Sequence, residues 1–123
     1  MEEKILRFVN NLNNSWFREN CENIEEYFDN NAVLTLPDLS KNISGVEPIA
    51  ASYRDFVSQA EVLSLNTGAH SLYRDRDRFI FIYDYDISYK MNGKKYDEKG
   101  RETLYIKNGI KGLKIFWRCI NYF

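Results

Sequence analysis

The chain has few of the residues that usually mark a metal centre or a covalently cross-linked framework. Its 123 residues include two cysteines, two prolines and one histidine. Cys21 and Cys119 are too few and too far apart for a disulfide framework. A single histidine also argues against a catalytic zinc site, which needs several ligands. We therefore expect neither a metal nor a cofactor.

The chain also has no excess of positive charge and no long apolar run. Its 17 basic and 18 acidic side chains give a formal net charge of −1, whereas nucleic-acid binding usually needs a positive surface. Residues 74–78 alternate arginine with aspartate, which favours a solvated hairpin turn. No segment approaches the roughly 20 apolar residues of a membrane span, and residues 1–4 begin an amphipathic helix rather than a signal peptide. The sequence predicts no nucleic-acid or membrane partner and a cytoplasmic location.

Aromatic residues, by contrast, make up 15% of the chain, and many of them alternate as in a β-strand. One face of the run from Arg78 to Tyr89 carries Phe79, Phe81, Tyr83, Tyr85, Ile87 and Tyr89. Further extended runs follow Asn92-Gly93 and Asn108-Gly109, and such dipeptides are typical of hairpin turns. The pattern predicts strands at about residues 32–36, 61–73, 78–90, 94–107 and 112–122.

The residues before Ala60 are predicted to be mainly helical. Apolar residues at helical spacing predict a helix over roughly residues 2–19, a short one near residues 23–28, and a third from Val46. The element order α-α-β-α-β-β-β-β indicates an α+β domain over residues 1–123, with about three helices packed on a curved antiparallel sheet.

Six short motifs occur in a characteristic order along the chain. They are Phe28–Val33, Ser44-Gly45, Ile49–Phe56, Tyr85–Lys94, Gly100–Leu104 and Leu113–Arg118. Together they resemble the SnoaL-like proteins of the nuclear transport factor 2-like superfamily. The resemblance implies a cone-shaped fold with an internal cavity and, as in many relatives, a homodimer formed through the outer face of the sheet.

The superfamily includes isomerases, cyclases, transport adaptors and oligomerisation domains, so the fold does not define the function. Its ketosteroid isomerases place a general-base aspartate directly before a proline on the first strand. Here that position is Leu36, before Pro37, and a leucine cannot abstract a proton. Asp38 follows the proline and is interpreted as a loop aspartate. This departure argues against isomerase chemistry of that type.

Three ionisable residues are candidates for a site. His70 is either a cavity base, as the resemblance implies because many relatives have a histidine on this strand, or a sheet histidine satisfied by a neighbour. Alternation places Glu102, Leu104 and Ile106 on one face. By analogy with the association domain of calcium/calmodulin-dependent kinase, Arg118 shares the inner face with Phe116 and Ile120. Glu102 and Arg118 then form either a ligand-binding pair or a structural ion pair.

Aromatic residues complete the candidate site. The same analogy places Tyr85, and with it Tyr83, on the cavity wall, although the aromatic face is alternatively a dimer surface. Tyr53 lies on a helix stripe and needs a partner for its hydroxyl, while Trp16 packs beneath the cavity mouth or in the core. Trp117, next to Ile115, is expected on the outer, dimer-forming face.

Two functional hypotheses follow. The first is a cavity for a small, partly apolar organic molecule, including an anionic one, which a free Arg118 would suit. If it catalyses cofactor-free proton transfer of the isomerase or cyclase type, His70 or Glu102 is the base. The second is a non-catalytic homodimerisation or ligand-sensing module. The first hypothesis assigns seven residues to the site: Trp16, Tyr53, His70, Tyr83, Tyr85, Glu102 and Arg118.

Overall fold

The computed structural model describes residues 1–18, 20–37 and 41–123, and over these residues the chain is an α+β protein. Its elements are α1 (Glu2–Phe17), a 3-10 helix (Ile24–Tyr27), β1 (Phe28–Thr35), β2 (Asn42–Ser44), α2 (Val46–Gln59), β3 (Ala60–Asp75), β4 (Arg78–Met91), β5 (Lys94–Gly109) and β6 (Gly112–Tyr122). The prediction of about three helices is wrong, because the second is a 3-10 helix of only four residues. Asp38 lies outside the described residues.

The six strands form one curved sheet in the order β2-β1-β6-β5-β4-β3. The predicted all-antiparallel sheet needs one correction, since β1 pairs with β6 in parallel. A parallel pair needs a long connection, and here residues 36–111 lie between the two strands. The sequence also did not predict β2, because a strand of three residues is too short for its alternation to be recognised.

The hairpin turns follow the predicted pattern in two of three cases. Asn92 and Gly93 both have positive φ angles, 53° and 79°, and connect β4 to β5 as predicted. Arg76 occupies the turn between β3 and β4 with φ 59°. The prediction of a turn at Asn108-Gly109 is wrong, because β5 continues to Gly109 and the positive φ of 89° falls on Gly112 instead.

The core lies between the two α-helices and the concave face of the sheet. Helix α1 contributes buried Ile5, Val9, Leu12 and Trp16, and α2 contributes Ile49, Ala50 and Tyr53. Opposite them lie the buried side chains of β4 and β5, namely Phe79, Phe81, Tyr83, Ile87, Tyr89, Leu104 and Ile106. The aromatic face of β4 is therefore the wall that faces the helices, rather than the outer surface.

Strand β6 contains a β-bulge at Phe116. Tyr105 pairs with Trp117 while the next residue, Ile106, pairs with Ile115, so Phe116 is an extra residue in β6. The bulge reverses the alternation, which makes the predicted faces of Phe116 and Ile115 wrong. Ile115 is fully buried, and the Phe116 ring contacts Tyr105 on the outer face at a centroid distance of 6.1 Å. After the bulge the expected phase returns, with Arg118 inside and Trp117 outside.

Neither α-helix in the described part of the chain is long and apolar enough to cross a lipid bilayer.

Candidate functional site

A cavity of about 240 Å³ lies between the helices and the concave face of the sheet. Six of the seven predicted site residues line it: Trp16, Tyr53, Tyr83, Tyr85, Glu102 and Arg118. Leucine, isoleucine and phenylalanine side chains from α2 and the sheet cover most of the remaining wall. A mostly apolar wall with a few polar groups is typical of small-molecule sites.

His70 is the predicted residue that the structure separates from this group. It lies on β3, the edge strand, beside the start of α1, and its Nε2 is 3.6 Å from Glu2 Oε1. Its ring packs against Phe81 at a centroid distance of 5.3 Å, and His70 does not line the cavity. The prediction that His70 shares the cavity with Glu102 is therefore wrong. The strand register shifts between Thr67 and His70, where Gly68 interrupts the regular pairing of the strand.

Glu102 and Arg118 form a buried ion pair on the cavity wall. Arg118 Nε donates to Glu102 Oε1 at 2.6 Å, and Nη2 donates to Oε2 at 3.0 Å. The two side chains are only 11% and 4% exposed. They reach each other because Arg118 pairs with Leu104 across β5 and β6, which places Glu102 one diagonal position away on the same face.

The guanidinium of Arg118 remains charged in this environment. Burial lowers its pKa, but the Glu102 carboxylate outweighs that effect, and the net pKa of Arg118 is raised. Two of its five N–H donors are used by Glu102. The pair is thus neutral as a unit and still has donors to offer.

Tyr53 from α2 lies directly against this pair. The Arg118 guanidinium carbon is 4.8 Å from the centroid of the Tyr53 ring, a cation–π distance. The Tyr53 hydroxyl is buried and has no hydrogen-bond partner among the described residues. Burial raises the pKa of the Tyr53 phenol, so the group stays a neutral donor at physiological pH. A buried polar atom without a partner is uncommon in folded proteins.

A second polar chain reaches the cavity from α1. Trp16 Nε1 donates to Asn13 Oδ1 at 3.1 Å, and Asn13 Nδ2 donates to the Tyr83 hydroxyl oxygen at 3.4 Å. The Tyr83 hydroxyl therefore accepts a bond and keeps its own proton for donation. Sequence reasoning missed Asn13, although an asparagine beside Leu12 on an apolar helix stripe is a usable signal.

The cavity rim contains a carboxylate that sequence reasoning also missed. The Tyr89 hydroxyl donates to Glu98 Oε1 at 2.6 Å, and burial followed by this hydrogen bond raises the Tyr89 pKa. Glu98 lies on the same face of β5 as Glu102, so the alternation used for Glu102 would have found it.

Over the described residues, no group of three or more histidine, cysteine, aspartate or glutamate side chains could hold a metal ion.

Comparison of the sequence with known proteins finds no match, whereas comparison of the structure finds several. No family model and no curated protein matches the sequence. A nuclear transport factor 2-like protein from Cytophaga hutchinsonii matches the structure with TM-score 0.86 and 12% identity, over 100% of this chain and 98% of that chain. A ketosteroid isomerase-like protein from Erwinia carotovora atroseptica matches with TM-score 0.83 and 11% identity, over 96% and 92%. The chain has the nuclear transport factor 2-like fold.

A third structure with this fold, from Catenulispora acidiphila, is in complex with S-DNPA. It matches with TM-score 0.80 and 10% identity, over 98% of this chain and 92% of that chain. The structural similarity establishes the fold. At sequence identities of only 10–12%, it does not establish the chemistry, which has to be argued from the residues of this chain.

Within the nuclear transport factor 2-like fold of this chain, the cavity is equipped mainly with hydrogen-bond donors. Arg118, Tyr53 and Tyr83 each have N–H or O–H groups that are not used by a neighbour in the described part of the chain. Leu36 lines the cavity and offers only apolar contact. Glu102 has both oxygens bound to Arg118, so it is poorly placed to accept a proton from a bound molecule.

We expect the buried pair to couple strongly in a double-mutant cycle. Glu102→Gln leaves a buried guanidinium without its counter-charge and should lower the free energy of unfolding by about 3–5 kcal/mol. The cycle itself uses Glu102→Leu, Arg118→Met and their combination: each single change leaves one buried charge unpaired, whereas the double variant removes both charges and should recover most of that loss. Urea denaturation measures all the variants.

The matched control for this cycle is the exposed pair formed by Arg101 Nε and Asp84 Oδ1 at 2.8 Å. Asp84→Asn should cost less than about 1 kcal/mol, because solvent screens that pair. Equal costs for Glu102→Gln and Asp84→Asn would contradict the burial of the Arg118–Glu102 pair.

The buried tyrosines predict a loss of stability at alkaline pH. Burial raises the pKa of Tyr53, Tyr83, Tyr85, Tyr89 and Tyr122 in the folded chain. A tyrosine in the unfolded chain ionises at about pH 10. The folded state therefore holds these protons more tightly, so the contribution of these tyrosines to stability is constant below about pH 9 and falls as the pH rises past about 10. The ultraviolet absorbance of phenolate, followed in native and urea-unfolded protein, should show delayed ionisation in the native form. Superimposable titration curves would contradict this prediction.

Proposed function

We propose that residues 1–123 form one SnoaL-like domain that binds a small, partly apolar organic molecule in this cavity. The observation that carries the proposal is the buried Arg118–Glu102 pair on the wall of a 240 Å³ cavity. A buried ion pair is rarely more stabilising than apolar packing of the same volume. The ion pair nevertheless lies beside the Tyr53 hydroxyl, which has no partner among the described residues. Both features are consistent with a cavity wall that contacts a polar group of a ligand.

The size of the cavity suits a single substituted ring. An apolar cavity of about 150 Å³ accommodates benzene. The present cavity of about 240 Å³ is larger than that, which leaves room for a substituent on the ring. Aromatic side chains of Trp16, Tyr53 and Tyr83 on its wall offer the ring favourable edge and face contacts.

The charge of the cavity favours an uncharged hydrogen-bond acceptor over the anion that a free Arg118 would suit. Glu102 already neutralises Arg118, so a bound carboxylate would add one uncompensated negative charge in a buried site. Glu98 at the rim adds a further negative group. A carbonyl oxygen, in contrast, can accept hydrogen bonds from Arg118 or Tyr53 without changing the net charge.

Cofactor-free proton transfer is a second candidate function. Glu102 is a buried carboxylate in the same cavity as the phenols of Tyr53 and Tyr83, which supplies a base and donors in one site. That role requires a ligand to release one Glu102 oxygen from Arg118. The pairing of both oxygens makes binding without turnover, as in a ligand-sensing module, the function that the geometry supports better.

A homodimer through the outer face of the sheet is part of the proposal. Trp117 is 39% exposed on that face, and its ring stacks on Tyr105 at a centroid distance of 5.0 Å. Phe116, displaced outward by the bulge, extends this aromatic surface. Exposed aromatic clusters of this kind are enriched at protein interfaces. The cytoplasmic location stays a prediction from sequence.

Three ligands of matched shape test the proposed cavity and its preference for an uncharged acceptor. Acetophenone carries a neutral carbonyl, α-methylstyrene replaces the carbonyl oxygen with a methylene group, and benzoate carries a negative charge. Acetophenone should bind roughly tenfold more tightly than α-methylstyrene, because hydrogen bonds to charged donors contribute about 1.5–3 kcal/mol. Binding is measured by calorimetry or by ligand-detected NMR. The Glu102→Leu and Arg118→Met double variant should reduce the preference, and adding Tyr53→Phe should abolish it, because both candidate donors are then absent. Tighter binding of benzoate than of acetophenone would show that the site prefers an anionic ligand. No binding of any of the three at millimolar concentration would refute the proposed function.

The dimer has its own test. Trp117→Lys places a charge in the proposed interface and should convert a dimer to a monomer in sedimentation equilibrium. Tyr96→Lys is the matched control, since Tyr96 is 38% exposed and its ring stacks on Tyr89 at the inner face of the sheet, away from the aromatic surface. A monomeric parent protein at high micromolar concentration would rule out the dimer.

A further inference from the structure

Gly100 lies beneath the phenol of Tyr85, a residue that lines the cavity. It is a buried residue of β5, on the same face as Glu98 and Glu102, which both line the cavity. Directly opposite it lie Tyr85 on β4 and Tyr122 on β6. A row of three residues thus crosses the sheet as tyrosine, glycine and tyrosine, with both tyrosines lining the cavity.

The space above Gly100 is filled by the phenol of Tyr85. A Cβ atom added at Gly100 would lie 2.6 Å from the Tyr85 Oη and 2.8 Å from its Cζ, far closer than real Cβ contacts. It would also lie 2.7 Å from the backbone oxygen of Asn121. The φ angle of Gly100 is not in the left-handed region, so the backbone conformation does not demand a glycine here. The role of Gly100 is therefore to leave space, which is a known use of glycine in strands.

We propose that Gly100 is a specificity-determining residue: by letting the Tyr85 ring lie flat over β5, it sets how large a molecule the cavity accepts. The inference rests on the proposed binding function. Any side chain at position 100 would point into the cavity and force the Tyr85 phenol away from β5. Because Tyr85 already lines the cavity, displacement of its ring away from β5 moves the ring towards the space that a ligand would occupy.

The proposal differs from a purely structural role for the same contact. An aromatic ring that covers a strand glycine also stabilises the sheet, and in that case Gly100→Ala would lower stability without changing which ligand is preferred. The contact with the Asn121 backbone oxygen predicts some loss of stability in either case. Ligand preference, rather than the melting temperature, is the readout that separates the two roles.

The test uses acetophenone and the larger 2-acetylnaphthalene, which carry the same carbonyl group on one ring and on two fused rings. In Gly100→Ala, the affinity for 2-acetylnaphthalene should fall roughly tenfold more than that for acetophenone, as for overpacking of a filled site. Adding Tyr85→Val to Gly100→Ala removes the displaced ring and should restore binding of the larger ligand. Tyr85→Val alone, in a background that retains Gly100, should shift the preference towards the larger ligand.

Gly68→Ala is the matched control, because Gly68 is another strand glycine and its added Cβ meets only ordinary contacts at 3.7 and 3.8 Å. It should leave both affinities unchanged. If Gly100→Ala weakens both ligands equally, or if Tyr85→Val fails to shift the preference towards the larger one, the inference is overturned. Should Gly100→Ala alone not fold, the double variant is compared with Tyr85→Val: the preference should be the same in both, because the ring through which Gly100→Ala acts is absent, and a further change of preference would overturn the inference. Failure of the proposed function is distinguishable, since the parent protein would then bind neither ligand.

Discussion

The ion pair between Arg118 and Glu102 is the constraint that gives this cavity its chemical character. Removing a guanidinium and a carboxylate from water costs several kcal/mol for each ion in real proteins, so neither group would stay buried without the other. The two hydrogen bonds of 2.6 and 3.0 Å connect β5 to β6 at the inner face of the sheet. The Tyr53 ring covers the guanidinium from α2, which links the same pair to the helical layer. The polar wall of the cavity and the packing of helix on sheet therefore depend on one interaction.

A bulge in β6 makes this arrangement compatible with a closed core. Ile115 and Arg118 are three positions apart, and in a regular strand they would face opposite sides of the sheet. The extra residue Phe116 changes the phase, so Ile115 fills the core while Arg118 reaches the cavity. The same bulge moves the Phe116 ring to the outer face, beside Tyr105 and Trp117. One inserted residue thus shapes both the cavity and the aromatic outer surface.

The sequence was sufficient for those features that follow from local periodicity. Alternation grouped the aromatic side chains of β4 on one face, and Glu102 with Leu104 and Ile106 on one face of β5, whereas the assignment of these faces to the cavity came from the resemblance. Alternation could not reveal the parallel pairing of β1 with β6 or the bulge at Phe116, because both depend on contacts between distant segments. His70 was assigned to the cavity from a resemblance, but an edge strand with a shifted register holds it beside Glu2. Gly100 was invisible as a site residue because its contribution is the absence of a side chain.

The most direct test of the central claim is an NMR measurement of the arginine Nε–H groups at neutral pH. A guanidinium that is buried and bound to Glu102 should give an Arg118 Nε–H signal that exchanges slowly with water, and the signal should shift when acetophenone is added. Rapid exchange of that signal, or a position that is unaffected by a bound ligand, would contradict a buried Arg118 on the wall of a ligand cavity.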